Sequence, residues 1–211
     1  MSYATAIHSF VSSLNYQDQR QLLLDLAVKF KGLSIPILQC CGDALRGDFE
    51  FCNDIVEIDR RNYFYTDYTI KLDREFSRNA CIIDPLNFIY CPGEFKDDYD
   101  FALEQVGLHP PNFVHCSSNL RANRKFAKFG VEKDVNNCEF INHAEMYGYK
   151  KFYLDLIKRY PECIKHCRLL CDEDFVIKAV RRNPKCYPHL PRINREDDSL
   201  GKFIYYFTVP I

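Results

Sequence analysis

The sequence predicts an all-α fold, an α-solenoid of about seven short two-helix repeats with degenerate terminal caps, and three observations carry that expectation. Phenylalanine recurs at Phe51, Phe76, Phe101, Phe126, Phe152 and Phe175, at steps of 25, 25, 25, 26 and 23 residues. Three residues before these anchors stand Asp48, Asp73, Asp98, Asn123, Tyr149 and Asp172, and six before them the apolar Leu45, Ile70, Phe95, Leu120, Met146 and Leu169. Only 8 of the 211 residues are glycine, which suits helices better than a turn-rich β fold. A period in this range marks a repeat array, in which one unit cannot bury its own apolar face and must stack on its neighbours.

Each copy reads the same way along the chain. Asp or Asn three before the anchor is a good N-cap, because its side-chain oxygen accepts from the free N–H groups of the first turn. Apolar residues at +1, +4 and +5 from the anchor, the last being Val56, Cys81, Val106, Val131, Ile157 and Val180, turn one face of a two-to-three-turn helix inward. Proline at +9 (Pro85, Pro110, Pro161, Pro184) ends that helix or opens the next. A second, shorter apolar stretch follows, as in Asn87–Cys91 and Asn112–Cys116, and includes the +12 column Tyr63, Phe88, Phe113, Cys138, Ile164 and Tyr187.

The copies are expected at 45–69, 70–94, 95–119, 120–145, 146–168 and 169–193. Residues 1–44 read as a degenerate helical cap, with Leu14, Leu22, Leu23, Leu26 and Phe30 at roughly helical spacing and no anchor Phe. Residues 194–211 read as a partial copy, with Asp197 as cap and Leu200 as anchor, running into the apolar tail Lys202–Ile211. That tail is expected either to close the array or to insert into a partner, since exposed it would aggregate.

The stretch Asp172-Glu173-Asp174-Phe175-Val176-Ile177-Lys178-Ala179-Val180-Arg181-Arg182-Asn183-Pro184 resembles the repeat of the domain-of-unknown-function 4116 family. The likeness is close over 172–184, fair over 98–110 and looser elsewhere, with Arg78-Asn79-Ala80 and Phe152–Pro161 departing from the pattern. The resemblance implies a helical repeat array and, by analogy, an interaction role, because the family has no assigned chemistry.

Composition narrows the function classes. Apolar residues make up 47% of the chain, enough for a core, and the formal charge is −1, so an overall basic footprint for nucleic acid is missing. The longest run free of Lys, Arg, His, Asp and Glu, Gly32–Gly42, is too short to span a bilayer, and Met1–Leu14 has no basic region of a secretory leader. The expected setting is therefore intracellular, in the cytoplasm or within a viral or organellar assembly, with the 11 cysteines as reduced thiols. Charge is uneven along the chain: residues 1–117 carry −7 and residues 118–211 carry +6. Such a bipolar chain is suited to docking head to tail or to meeting two unlike partners.

Candidate chemistry is weaker than architecture. Cys163, Cys167 and Cys171 fall at i, i+4 and i+8 with His166 beside them, which suggests a metal site through Cys163, His166 and Cys167. The repeat supplies the preferred account, since Cys91, Cys116 and Cys167 share the +15 column and Cys163 and Cys186 share +11, as small packing residues would. At +14 stand six rings, Tyr65, Tyr90, His115, Phe140, His166 and His189. They form either a ladder that grips an extended peptide or a stack that knits copies together. With the tail aromatics Phe203, Tyr205 and Phe207 they make up the candidate interaction surface. No phosphate-binding loop, nucleophile elbow or zinc-protease motif is present, and Asp73 and Asp98 fall on the N-cap column. The expected function is a non-catalytic interaction or scaffold subunit without a cofactor. The alternatives are an enzyme with an unrecognised groove site and nucleic-acid binding by the basic half, through residues such as Arg121, Arg124, Lys125, Lys128, Arg181, Arg182 and Lys185.

Overall fold

The computed structural model describes residues 8–29, 36–170 and 172–191. Among these every regular element is helical, and the short helices pack in tandem within two compact units, Met1–His115 and Cys116–Ile211. The fold class is all-α, with the tandem packing of an α-solenoid in each unit.

One copy is built from three pieces. A ten- or eleven-residue α-helix carries the anchor: Phe49–Ile58, Arg74–Ile83, Tyr99–Leu108, Arg124–Lys133, Tyr149–Arg159 and Glu173–Arg182. A six-residue 3-10 helix follows: Arg60–Tyr65, Pro85–Tyr90, Pro110–His115, Val135–Phe140, Pro161–His166 and Pro184–His189. A single α-turn then leads to the next anchor helix in the first four copies, at Asp43–Arg46, Tyr68–Lys71, Gly93–Asp97 and Ser118–Ala122. The expected second α-helix is therefore a 3-10 helix. Only six residues separate the extended residues at +8 and +15, and the i→i+3 spacing fits a helix that short.

The cap column behaves as its chemistry requires. The Oδ1 atoms of Asp48, Asp73 and Asp98 accept from the N–H of Phe51, Phe76 and Phe101 at 2.9, 2.8 and 2.7 Å. The anchor sits at the third helical position, where an N-cap oxygen reaches, so cap and anchor keep a fixed spacing. Asn123 and Asp172 do the same for Phe126 and Phe175. The fifth copy departs from the pattern. Tyr149 occupies the column, and Gly148, at φ 65°, precedes the helix in the left-handed region that favours glycine. Asp73→Ala is expected to lower stability by about 1 kcal/mol and Asp73→Asn by much less. Chemical denaturation checks this, and equal stability of Asp73→Ala and the parent would contradict it.

The +8 residue serves two helices. Asp59, Asp84 and Asn183 end their α-helices in extended conformation, and their side-chain oxygens accept from Arg61, Leu86 and Lys185 N–H at the start of the 3-10 helix. Proline at +9 is thus the first 3-10 residue, where its missing N–H is not needed.

Anchors, the −6 column and the residues at +1, +4, +5 and +15 are buried in all six copies. Consecutive 3-10 helices pack side by side within each unit, and so do the anchor helices Phe49–Ile58, Arg74–Ile83 and Tyr99–Leu108. Each unit therefore has an α-helical side and a 3-10 side with the anchors between them. The residue two before the anchor covers the next copy's anchor. Phe49 meets Phe76 with ring centroids 5.7 Å apart, and the Arg74 and Arg124 guanidiniums lie 5.3 and 5.9 Å from the centroids of Phe101 and Phe152.

Two polar columns recur through the first four copies. At +11, Asn62, Asn87, Asn112 and Asn137 are buried, and each donates to the carbonyl seven residues back: Ile55, Ala80, Gln105 and Gly130. Asn87 and Asn112 also donate to the Arg60 and Pro85 carbonyls of the preceding copy at 3.3 and 2.9 Å, and Asn62 Oδ1 accepts from Leu38 N–H. These amides close helix C-terminal carbonyls and join neighbours in one step. At −5, Arg46, Lys71, Lys96 and Arg121 donate to 3-10 carbonyls at Leu38, Phe64, Ile89 and Phe140. The last two copies lack both columns. Cys163 and Cys186 stand at +11, and Asn183 at +8 bridges instead to the Ile157 and Lys158 carbonyls.

At the N-terminal end, the helix Tyr16–Lys29 is longer than the anchor helices and buries Leu23 and Ala27. The 3-10 helix Ile37–Cys40 packs on Arg60–Tyr65. The partial copy with Asp197 and Leu200 and the tail residues Phe203, Tyr205 and Phe207 lie outside the described residues.

Candidate interaction surface

The 3-10 helices bury +11, +12 and +15 in the first unit and leave +9, +10, +13 and +14 exposed or half-buried on the outside. In the first unit this outer face is apolar. Phe64, Leu86, Ile89 and Tyr90 are 50%, 57%, 41% and 42% exposed, and Tyr65 is half-buried. Phe64 meets Tyr65 and Tyr90 edge to face, both at centroid separations of 4.8 Å, which fixes three rings from two consecutive copies in one cluster. Beside it opens a groove of about 560 Å³ lined by Pro36, Gln39, Arg60, Arg61, Phe64, Tyr65, Asp84, Leu86, Asn87 and Tyr90.

The groove is also charged. Arg60 Nε lies 3.3 Å from Asp84 Oδ2, and Arg61 grips Asp59 with Nη2 at 2.6 Å. Both guanidiniums are thus oriented, and the Asp59 carboxyl is held below its usual range against its burial, by hydrogen bonds from Arg61. The rim presents donors beside aromatic faces, an arrangement suited to carbonyl or carboxylate groups of a bound chain.

The structure divides the +14 ladder. Tyr65 and Tyr90 line the groove of the first unit, where His115 is half-buried, and Phe140, His166 and His189 belong to the second unit. The ring that ties the first-unit cluster together is Phe64, at +13, which the sequence reading passed over. Its column offers a signal, being apolar in the first three copies (Phe64, Ile89, Val114) and Glu139, Lys165 and Pro188 afterwards.

Cys163 and Cys167 are buried. His166 is half-buried, with its Nε2 enclosed and without a hydrogen-bond partner among the described residues. Among the described residues no three His, Cys, Asp or Glu side chains converge as metal ligands would, and Cys171 lies outside them. No helix among the described residues is long and apolar enough to cross a membrane.

The second unit has a different surface. A cleft of about 410 Å³ is lined by Lys128, Asp155, Leu156, Lys158, Arg159 and Tyr160. The division between the units, at His115 and Cys116, falls where the charge changes sign.

The half-buried histidines give the fold a pH dependence. Burial lowers the pKa of His115, His143 and His166, and Lys96, Arg168 and Lys165 respectively push in the same direction, with Glu139 opposing at His166. A histidine held neutral in the fold takes up its proton more readily when unfolded, so stability falls as pH drops through about 6.5. The Arg74 guanidinium holds Asp98 down to about 2, so the stability from that carboxylate persists until pH falls below about 4. Thermal melts at fixed ionic strength are expected to show a lower Tm at pH 5.5 than at pH 7, with a smaller difference in His143→Gln. A flat profile over that interval would contradict this account.

Neither the curated proteins nor the solved structures contain a match to the chain. The model of the family described as Domain of unknown function (DUF4116) matches two segments, residues 73–121 and 149–194. They span the second and third copies and the fifth and sixth, a little under half of the chain. The resemblance first read at residues 172–184 thus extends to both units, and over these segments the chain is similar to the DUF4116 family.

Proposed function

We propose that the protein is a non-catalytic interaction or scaffold subunit, and that the 3-10 face of its first unit binds an extended segment of a partner protein. The observation that carries this reading is the groove in which Phe64, Tyr65, Leu86 and Tyr90 stand exposed beside Arg60 and Arg61. A cluster of exposed apolar side chains with a polar rim is the usual composition of a binding surface. Preformed backbone lowers the ordering cost of binding, and here the Asn column fixes the 3-10 helices that carry the groove. Apolar partner side chains fill the space between Phe64, Leu86 and Tyr90, and Arg60 and Arg61 donate to partner carbonyl or carboxylate oxygens. The basic second unit offers a separate, electrostatically distinct contact to the same assembly.

Gentle native purification from the source, with mass spectrometry of whatever remains bound through sizing, tests the proposal when run beside Phe64→Ser/Tyr90→Ser. The parent is expected to co-elute with a defined partner, and the double variant to lose it while keeping its melting temperature within a few degrees, since both side chains are exposed. Retention of the same partner by the double variant, or a clean monomer in both preparations, would overturn it.

A further inference from the structure

Copy two contains a buried thiol pair. The Sγ atoms of Cys81 and Cys91 are 3.5 Å apart, on side chains 0% and 4% exposed. The same two columns hold Val56 and Thr66, Val106 and Cys116, Val131 and Ile141, Ile157 and Cys167, and Val180 and Leu190 in the other copies. Packing alone is met there by aliphatic and small residues, and the second copy alone sets two sulfurs against each other at these columns.

Polar side chains surround Cys91. Tyr63 Oη lies 3.3 Å from its Sγ and 2.7 Å from Ser77 Oγ, and the Ser77 hydroxyl donates to the Lys71 carbonyl at 2.6 Å. A thiolate can only accept, so an ionised Cys91 would take a hydrogen bond from the Cys81 S–H, and from the Tyr63 O–H when the Ser77 hydroxyl turns from the Lys71 carbonyl to donate to Tyr63 Oη. Donation from Cys81 leads in pulling the Cys91 pKa below its usual range, against burial, with Tyr63 and the Lys96 and Lys71 ammoniums adding to it. The hydrogen bond with Cys91 pushes the Cys81 pKa up, with burial adding to it. Ionisation is favoured at Cys91, and the Cys81 sulfur stands 3.5 Å away, within reach to resolve an oxidised Cys91.

We propose that Cys81 and Cys91 are a redox-responsive modification site that closes to an intramolecular disulfide under hydrogen peroxide. The Cys91 thiolate attacks one peroxide oxygen, the O–O bond breaks, and hydroxide leaves and takes up a proton. The Cys81 sulfur then attacks the resulting sulfenic acid, forming the S–S bond as the S–O bond breaks, and its proton departs with the hydroxide as water. Two thiols and one peroxide give one disulfide and two waters, and the two electrons pass from sulfur to peroxide. Closure brings the sulfurs to about 2 Å and ties the helix Arg74–Ile83 to the residue that ends Pro85–Tyr90.

The test is peroxide titration of the reduced, folded full chain, followed by alkylation of remaining thiols and peptide mapping by mass spectrometry. A Cys81–Cys91 crosslink, two hydrogens lighter than the reduced peptides, is expected before any other disulfide. In Cys81→Val, which copies the residue of four other repeats, a sulfenic-acid probe is expected to label Cys91. In Cys91→Thr, which copies Thr66, Cys81 is expected to stay reduced. Both cysteines remaining alkylatable while others oxidise, prior formation of a Cys138–Cys163 disulfide, or unchanged oxidation in the variants would overturn the proposal.

Discussion

Phe101→Ala is expected to lower the unfolding free energy by about 3–5 kcal/mol, as removing a large ring from a packed core does. Phe101 is 1% exposed and receives contacts from three directions. Phe95 stacks on it with centroids 4.8 Å apart, Phe88 lies at 6.3 Å, and the Arg74 guanidinium of the preceding copy covers it at 5.3 Å. Each partner comes from a different column, so the alanine would remove the shared element of three contacts, and neighbouring backbone fixed by caps and 3-10 bonds could only partly close the gap. Chemical denaturation measures the loss directly. Phe64→Ala, half-exposed and in contact with Tyr65 and Tyr90, is the milder comparison and should cost about 1 kcal/mol. Equal midpoints and slopes for Phe101→Ala and the parent would mean that the anchor column is not the core.

Asn87→Asp is expected to cost about 3 kcal/mol or more, although only a nitrogen becomes an oxygen. The Asn87 amide donates to the Ala80 carbonyl at 3.0 Å and to the Arg60 carbonyl at 3.3 Å, in a site almost closed to water. An aspartate presents oxygen to both carbonyls, leaves them without a donor and adds a charge that must be neutralised or exposed. Asn87→Cys is the milder comparison, because Cys186 fills the same column and turns its Sγ toward the Ala179 carbonyl at 3.8 Å. Thermal or urea unfolding of the two variants should rank Asp well below Cys. An Asn87→Asp protein as stable as the parent would show that the amide does not join the copies.

The apolar framework was legible because hydrophobic columns repeat with the copy: the anchors, the −6 residues and those at +5 are buried in every copy. The cap column was legible for the same reason, since Asp48, Asp73 and Asp98 each reach the amide of the anchor. The two polar columns recur in the sequence through the first four copies, at Asn62, Asn87, Asn112 and Asn137 and at Arg46, Lys71, Lys96 and Arg121, yet residue type alone does not mark them as structural. Asparagine and basic residues ordinarily signal surface, and the burial of the asparagines and the bonding of the basic column make sense only once the orphan carbonyls of the helix ends are located. The 3-10 character of the second element was hidden similarly, because six residues such as Pro85–Tyr90 give too little periodicity to separate three residues per turn from 3.6. The groove needed the structure most. Phe64 and Tyr90 come from different copies, and only packing of consecutive 3-10 helices shows that their rings meet.

Amide hydrogen exchange on the protein alone and with its co-purified partner is the most direct measurement of the central claim, that the first unit's 3-10 face is the binding surface. Added protection is expected in Arg60–Tyr65 and Pro85–Tyr90, with the helices Phe49–Ile58 and Arg74–Ile83 unchanged. Protection confined to those helices, or none in the first unit, would contradict it.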